Sequence, residues 1–535
     1  MNRPITEPKL TTLSVCKQEV LAQSSKNGLV YLNLIAVLVL TGSSHWFGQL
    51  HGELLAGLQA PTIAGISINF SFGNMVIGQF TLMMLLMLAV WYCGLKTLNA
   101  NSVTKDQDSF VWLVLAVGVV ARLLLIGADA YTSNDVDRYL FDGRIALTGL
   151  DPYQVSHDHP ALAHLRELWQ PPAEHAKYPT LYPPLALAIF AFAANIGVDF
   201  GVESAQLAWQ LMLTGASIAS LYFIYLLLKA HNKLQHLPLV ALSPILVIET
   251  GVGLHLDAFS TLAVVAALYY WHRNKLSLVG ICIGLGVLCK ILPLVLLMPL
   301  VFANFSWPRS LIIVLSALSV IIAGYGITLA LGFYPVGSIG VFFEKWRFAA
   351  PLFSLLNQLN PQAFVIALTA ITTSLIVVVG LLAYSQQQLN NQQTVVNKEI
   401  TSAENDLKTI NYLLSEPLIL ACQLALVIPL LISPVLFPWY LMPLAALLAL
   451  KPNAALIIVL GVMPLTYEVL NQFICCQIWQ PAQWPIVLLA GAYLFALVSL
   501  IYWGIKWANS NKAARHYAGR DQQQIDISLK RASEA

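Results

Sequence analysis

Charge is what this chain has least of. Of its 535 residues only 10% are Asp, Glu, Lys or Arg, against 58% apolar, and the mean hydropathy is +0.71. Soluble domains carry about a quarter of their residues as charges, so the water-soluble classes are excluded. A net charge of +2 says nothing about nucleic acid, and no nucleic-acid partner is expected. Cysteine is sparse too: Cys16, Cys93, Cys282, Cys289, Cys422, Cys475 and Cys476 form no C-x-x-C pair of the kind that holds zinc. A glycine-rich phosphate loop, a G-x-S-x-G elbow and a nucleotide-binding strand unit are missing as well. Their absence argues against ATP or a nucleotide sugar as the direct substrate.

Long apolar runs are what the chain has instead. A bilayer is crossed by about 20 apolar residues. Such runs begin near Leu29, Met75, Phe110, Leu181, Ala205, His236, Ala258, Leu276, Ser310, Ala363, Glu416, Phe437, Asn453 and Pro485. The expectation is an all-α polytopic membrane protein, a bundle of about 12–14 membrane segments. It divides into a cytoplasmic leader 1–28, two N-terminal spans and their loops in 29–109, and a membrane core 110–384 with an outer helical loop 129–180. A polar linker 385–412 rich in Gln and Asn, C-terminal spans 413–508 and a cytoplasmic tail 509–535 follow. The long polar leader, with no small-x-small site after the first run, argues against a cleaved signal.

Lys and Arg collect on the cytoplasmic side of a membrane protein. Arg3, Lys9, Lys17 and Lys26 precede the first run, and residues 49–74 contain neither Lys nor Arg. The N-terminus is therefore placed in the cytoplasm, and the third run, Phe110 to Gly127, emerges on the periplasmic side. Counting both Leu181–Val198 and Ala205–Leu228 as crossings would put Lys229 and Lys233 outside. Either one of the two is partial or the bias fails there. Arg122, Arg138, Arg144, Arg166, Lys177, Lys290, Lys345 and Arg347 remain on or near the outer side, where a cation usually has a local anionic partner.

The stretch Tyr131 to Tyr153, YTSNDVDRYLFDGRIALTGLDPY, holds four Asp and two Arg directly after an apolar run. Asp135, Asp137 and Asp142 thus sit where membrane meets water. Carboxylates there are costly to desolvate and persist where they line a wet cavity, pair with cations, bind metal or move protons. Further on, Leu162, Leu165 and Leu168 suggest a short amphipathic helix with Trp169 at headgroup depth. Pro183 and Pro184 suit the first turn of the next helix.

DVDRYLFDGR with GLDPY, then YPTLYPPL, HLDA, GVLCKILP and SPVLFPWY, run in this order from about Arg122 to Leu450. Together they resemble the polytopic GT-C glycosyltransferases, nearest to bacterial mannosyltransferase-like members that use polyprenyl-phosphate sugars. The resemblance implies a GT-C-like bundle in the cell inner membrane, with its active site in the first large loop of the core, at the periplasmic face. It implies a polyprenyl-phosphate hexose as donor, mannose first, and inverting transfer to a hydroxyl of a glycan, glycolipid or protein acceptor. The early acidic position of the family falls on Asp135, as general base or positioning carboxylate. Asp137 completes a D-x-D spacing. A divalent cation (Mg or Mn) bound by Asp135 and Asp137 is compatible with that spacing but not demanded by it, and no other cofactor is implied. Asp257 joins the catalytic set by resemblance, with a helix N-cap as its other reading.

Sugar transfer also needs cations for the departing phosphate, and Arg138, Lys290, Lys345 and Arg347 are the candidates. Lys290 interrupts Leu276–Phe305 just before Pro293, so two short arms would expose it to a cavity; the alternative is a snorkelling Lys. Tyr182 and His255 are further substrate-side candidates, while Asp142 and Arg144 either contact substrate or brace the loop as an ion pair. Trp346 suits a lipid headgroup and Phe437, Trp439 and Tyr440 suit stacking on sugar, with an interfacial belt as the other reading of all four. The competing reading is a transporter or flippase for lipid-linked sugars. It would place its site at the midplane between repeats, and no convincing inverted repeat is found.

Overall fold

The computed structural model describes residues 28–57, 62–63, 66–67, 71–98, 105–303, 307–378, 380, 414–499 and 502. The leader through Asn27, the linker 385–412 and the tail 509–535 lie outside them. Nineteen helices make the chain an all-α polytopic membrane protein. Apart from them there is a two-residue antiparallel pairing of Thr62–Ile63 with Ile66–Ser67. In order they are α1 (Gly28–Leu55), α2 (Phe72–Leu98), α3 (Lys105–Leu123), α4 (Asp135–Leu147), α5 (Ala163–Trp169), α6 (Pro184–Phe200) and α7 (Val202–Ala230). Next come α8 (Leu234–Gly251), α9 (Asp257–His272), α10 (Leu276–Cys289), α11 (Leu292–Phe302) and α12 (Trp307–Ala330). The second half contains α13 (Ile339–Lys345), α14 (Pro351–Leu359), α15 (Ala363–Val378), α16 (Glu416–Ile432), α17 (Pro438–Leu448), α18 (Ala454–Cys476) and α19 (Gln483–Ser499). Of these, α1, α2, α7, α8, α12 and α18 are long and apolar enough to cross a membrane.

The helices follow the inverted logic of a lipid-solvated bundle. On α1 the buried face reads Val30, Leu34, Val37, Thr41, Ser44, while Leu32, Ile35 and Val39 are exposed. The three-to-four spacing makes one stripe. With lipid outside, an apolar outer face costs nothing, and small or polar residues can serve the interior. Glycines mark the closest approaches: a Cβ at Gly280 would lie 2.3 Å from the carbonyl oxygen of Ile313, which brings α10 against α12.

Arg122 ties three helices together. Among the described residues it has no carboxylate partner, contrary to the expectation for cations left on this side. Its Nε donates to Ser217 Oγ (2.8 Å), Nη1 to the carbonyls of Gly118 (2.7 Å) and Ala241 (2.8 Å), and Nη2 to that of Val240 (3.1 Å). The reason the Val240 carbonyl is free lies four residues on. Pro244 has no N–H to return to Val240, so the break inside α8 leaves an acceptor that the guanidinium satisfies.

The two ends of the bundle are chemically distinct. Lys233 and Lys451 both reach Glu416, at 2.8 and 2.9 Å. His231 meets His272 next to Arg273, and Gly94 near Lys96 abuts Gln235. These cations share the end opposite Asp135. The question of two crossings between Leu181 and Leu228 is thereby resolved in favour of the charge pattern. The Tyr139 ring touches Tyr182 ahead of α6 (5.1 Å), Phe190 within it (4.8 Å) and Trp209 beyond it (5.7 Å). So α6 starts and finishes on the Asp135 side and is not a second full crossing. Trp169 is buried, its ring packed against Gly197.

Helix α4, which carries the acidic cluster, rests on α6 through Gly143, where a Cβ would come within 2.3 Å of the Phe190 carbonyl carbon and 2.6 Å of the Ala191 nitrogen. Backbone cannot give way as a flexible side chain can. Gly143→Ala should therefore destabilise the protein by about 1–3 kcal/mol through overpacking, read as a lower unfolding temperature in detergent, whereas Gly215→Ala, which has open space, should cost nothing comparable.

Candidate active site

Asp135 opens α4. Its backbone N–H donates to Ser133 Oγ (3.0 Å), which fixes the turn, and its Oδ2 accepts from the Tyr139 hydroxyl one turn along the helix (3.3 Å). The same oxygen lies 3.6 Å from Nδ1 of His255. Burial raises the Asp135 carboxyl above its ordinary value of 3.8, and the positive charges of Arg138 and Lys290 only partly offset this.

Lys290 stands where the sequence places it, in extended backbone between the end of α10 and the start of α11. Its Nζ donates to both carboxylate oxygens of Asp257, at 2.7 and 2.8 Å, and lies 3.6 Å from the centre of the Tyr440 ring. Asp257 is the first residue of α9, yet its side chain is committed to Lys290 and no side-chain cap forms there. The N-cap reading gives way to a buried ion pair. An ammonium has three donors, so one remains for a ligand.

Arg138 follows one turn behind Asp135. Its guanidinium sits 5.7 Å from the Tyr182 ring centre, and the side chain is only 4% exposed. Nε and Nη2 are buried without a hydrogen-bond partner among the described residues. Leaving a buried charged donor unpaired costs upwards of ~3 kcal/mol, more than a cation–π contact of ~2 kcal/mol returns. The deficit marks a place for an anion.

Asp135, Arg138, Tyr182 and Lys290 line one cavity of about 620 Å³. Most of the remaining lining is apolar, from α11 (Leu292, Leu294, Val295), α15 (Phe364, Leu368, Ile371) and the end of α16. Leu294 and Leu368 are themselves 40% and 55% exposed, so the chamber opens on the apolar flank of the bundle. Phe437, Trp439 and Tyr440 contribute as expected. Trp439 is stacked with both His255 (3.7 Å) and Phe437 (4.4 Å), which occupies it with protein contacts.

The remaining candidates go elsewhere. Asp137 points away from Asp135 and accepts from Gln206 Nε2 on α7 at 2.8 Å. Burial pushes its carboxyl up to about 6, with the Gln206 bond opposing. Positions i and i+2 of a helix face different ways, and among the described residues no three His, Cys, Asp or Glu converge. The two carboxylates therefore do not fit a single shared metal ion. Asp142 is fully buried against Nε2 of His157 (2.6 Å), not against Arg144, and neither it nor Arg144 lines the cavity. Lys345 and Arg347 are outside it too: the Arg347 guanidinium lies over Phe353 (4.9 Å) and donates to the carbonyls of Phe343 and Trp346. Charge in the segment FFEKWR was the signal for them, but it is the neighbouring Phe342, Phe343 and Trp346 that reach the chamber.

Sequence reasoning missed three features. Asn134 donates to Glu174 Oε1 (2.7 Å) at the cavity edge, beside His175 stacked on Trp346 (5.1 Å). Cys475 and Cys476 are joined as a disulfide just before Gln477 and Trp479, two lining residues. Glu249 is fully buried beneath His255.

Residues 31–306, more than half of the chain, match the profile of the family described as Alpha-(1->6)-mannopyranosyltransferase, N-terminal domain. No curated protein and no solved structure matches.

An unpaired buried cation is a burden that an apolar side chain of similar length removes. Arg138→Met should keep or raise thermal stability in detergent, by up to about 1–4 kcal/mol, although it deletes a long buried side chain. A fall in unfolding temperature would mean that Arg138 serves the fold and not a ligand.

Proposed function

Since the chain belongs to this family and is a membrane mannosyltransferase, we propose that it moves mannose from a polyprenyl-phosphate donor to a hydroxyl of a glycan, glycolipid or protein acceptor, with inversion. The observation that carries this reading is the chamber that Asp135, Arg138 and Lys290 share with a largely apolar lining and that opens on the apolar flank of the bundle. A phosphate esterified to a long apolar chain has that polarity pattern, whereas a free sugar or a nucleotide does not. The transporter reading finds no support in the family match.

In this reading the acceptor oxygen attacks the anomeric carbon from the face opposite the phosphate. The bond from that carbon to the phosphate oxygen breaks, and its electron pair leaves on the phosphate. Arg138, through its unpartnered Nε and Nη2, and Lys290, through its third N–H, meet the growing negative charge. The acceptor proton passes to Asp135. Asp257 acts through Lys290, holding the ammonium over Tyr440. By inversion, an alpha product requires a beta-linked donor. No step is routed through a metal, because Asp135 and Asp137 diverge.

The orientation follows from charge. Lys96, Lys229, Lys233, Arg273, Lys275 and Lys451 gather opposite the chamber, which favours a cytoplasmic position for that end and a periplasmic one for Asp135 in a bacterial inner membrane. The Cys475–Cys476 disulfide, beside the chamber, agrees with an oxidising compartment.

Purified protein supplied with polyprenyl-phosphate mannose and a membrane lipid extract should transfer labelled sugar, and Asp135→Asn should lose at least about a hundredfold in kcat. Because Asp135 must be deprotonated to act and burial raises it, activity should climb with pH through a limb above the ordinary carboxylate range. The same shift means that the folded state holds this proton more tightly than the unfolded chain. Its favourable term for folding is thus present at low pH and lost as pH rises through the raised value. Asp137→Asn should leave the activity limb in place. Equal transfer by wild type and Asp135→Asn would overturn the assignment.

A further inference from the structure

His255 and Glu249 form a buried column behind Asp135 that the transfer reaction as described does not use. Both side chains are fully buried. His255 Nδ1 lies 3.6 Å from Asp135 Oδ2, and its Nε2 lies 3.6 Å from Glu249 Oε2. These contacts are just beyond hydrogen-bond length, and neither ring nitrogen nor Glu249 Oε2 has another partner among the described residues. Catalytic hydrogen bonds are often long in a ligand-free site and tighten when substrate binds. The other Glu249 oxygen, Oε1, accepts from the Tyr467 hydroxyl of α18.

The surroundings hold the column in line. The His255 ring is stacked 3.7 Å from Trp439 at an interplanar angle of 11°, which leaves it rotation only about its own plane. Gly253 packs so tightly that a Cβ there would lie 2.5 Å from Glu249 Oε2 and 2.7 Å from His255 Cδ2. Leu254 is forced to φ +53, and its carbonyl is fixed by the Trp209 indole at 2.8 Å. Backbone strain of this kind persists where the surrounding structure over-determines a site.

The charges decide which protons are present. Glu249 has no cation against it, and an isolated carboxylate at full burial is far costlier than a neutral carboxyl. His255 faces Asp135 from α4, Glu249 from α8, Trp439 from α17 and the positive charge of Lys290, which is itself held by Asp257. Burial, with Lys290 adding, lowers the imidazole's affinity for a second proton. A neutral imidazole has one donor nitrogen and one acceptor. With Asp135 ionised, as the base must be, and Glu249 neutral, one arrangement satisfies every group in the column: Tyr467 donates to Glu249, Glu249 to Nε2, and Nδ1–H to Asp135.

We infer that Glu249 is a positioning residue of the transfer reaction, its neutral carboxyl fixing the His255 tautomer so that Nδ1–H holds the Asp135 carboxylate toward the cavity. This rests on the reading of Asp135 as the base. The logic is that of a buried carboxyl orienting an imidazole, with a neutral acid in place of an anion. A hydrogen bond to the charged form of Asp135 also lowers the pH at which it becomes competent.

Two substitutions separate the outcomes. Glu249→Gln keeps an N–H donor for Nε2 and should retain transfer from polyprenyl-phosphate mannose to within about threefold. Glu249→Leu removes the donor and should lower kcat about tenfold or more, with the donor KM unchanged and the acid limb displaced to higher pH. Heteronuclear NMR of labelled histidine in the full-length detergent-solubilised protein should find the His255 proton on Nδ1 in wild type and Glu249→Gln, and redistributed in Glu249→Leu. Gln as damaging as Leu, a Leu variant with wild-type rate and pH profile, or a proton on Nε2 in the wild type would each overturn the inference. Asp135→Asn run alongside keeps the two readings apart. If it transfers normally, the base assignment fails, and the NMR result still decides whether the column exists.

Discussion

An ammonium held against a carboxylate inside an apolar bundle is the constraint on which the site depends. Lys290 and Asp257 come from the broken junction between α10 and α11 and from the first turn of α9, and their pairing draws these ends to one point. Removing either partner leaves a buried charge at a cost of about 3–5 kcal/mol. The two therefore stand or fall together. Their mutual hold also explains why Lys290 is not free to snorkel. With the ammonium pinned over Tyr440, Asp135 and Arg138 on α4 have a fixed positive neighbour, and the three define one end of the chamber.

Behind that end the architecture repeats one device: a break in regular backbone provides acceptors or exposes a side chain, and a polar group from elsewhere closes the account. Arg122 does this for the Val240 carbonyl freed by Pro244. Gln210 does it for the turn after α3, donating to the carbonyls of Leu125, Ala128 and Gly251 while accepting from the Gly127 N–H. Each fixes a loop by hydrogen bonds to backbone where water is not at hand; Gln210 does so without charge, whereas Arg122 carries its positive charge into the interior and spreads it over neutral oxygens.

Much of this was legible because charge is so rare in the chain. Asp135, Arg138, Asp257 and Lys290 stood out against their apolar surroundings, and the structure brings them together. The division between functional and bracing carboxylates was not legible. Asp137 and Asp142 look alike in sequence, but helix geometry turns them toward Gln206 and His157. Lys345 and Arg347 were over-read for the same reason, since a charged residue beside aromatic ones does not reveal which of them points inward. Glu249 had a signal, a lone carboxylate inside the apolar run PILVIETG, which by itself is a functional marker in a membrane segment. The length of that run, not its one interruption, dominated the reading. The behaviour of α6 depends on contacts among Tyr182, Phe190 and Trp209 that no local pattern announces.

The flank on which the chamber opens has a kinetic consequence. A ligand that arrives between α11 and α15 comes from within the bilayer, so its encounter rate is set by its mole fraction among the lipids and by two-dimensional diffusion, not by its molarity in the surrounding water. The enzyme would then respond to expansion of the membrane as to dilution, and saturation would be a property of the surface. A water-soluble acceptor would obey ordinary solution kinetics, so the two substrates of one reaction would be counted in different dimensions.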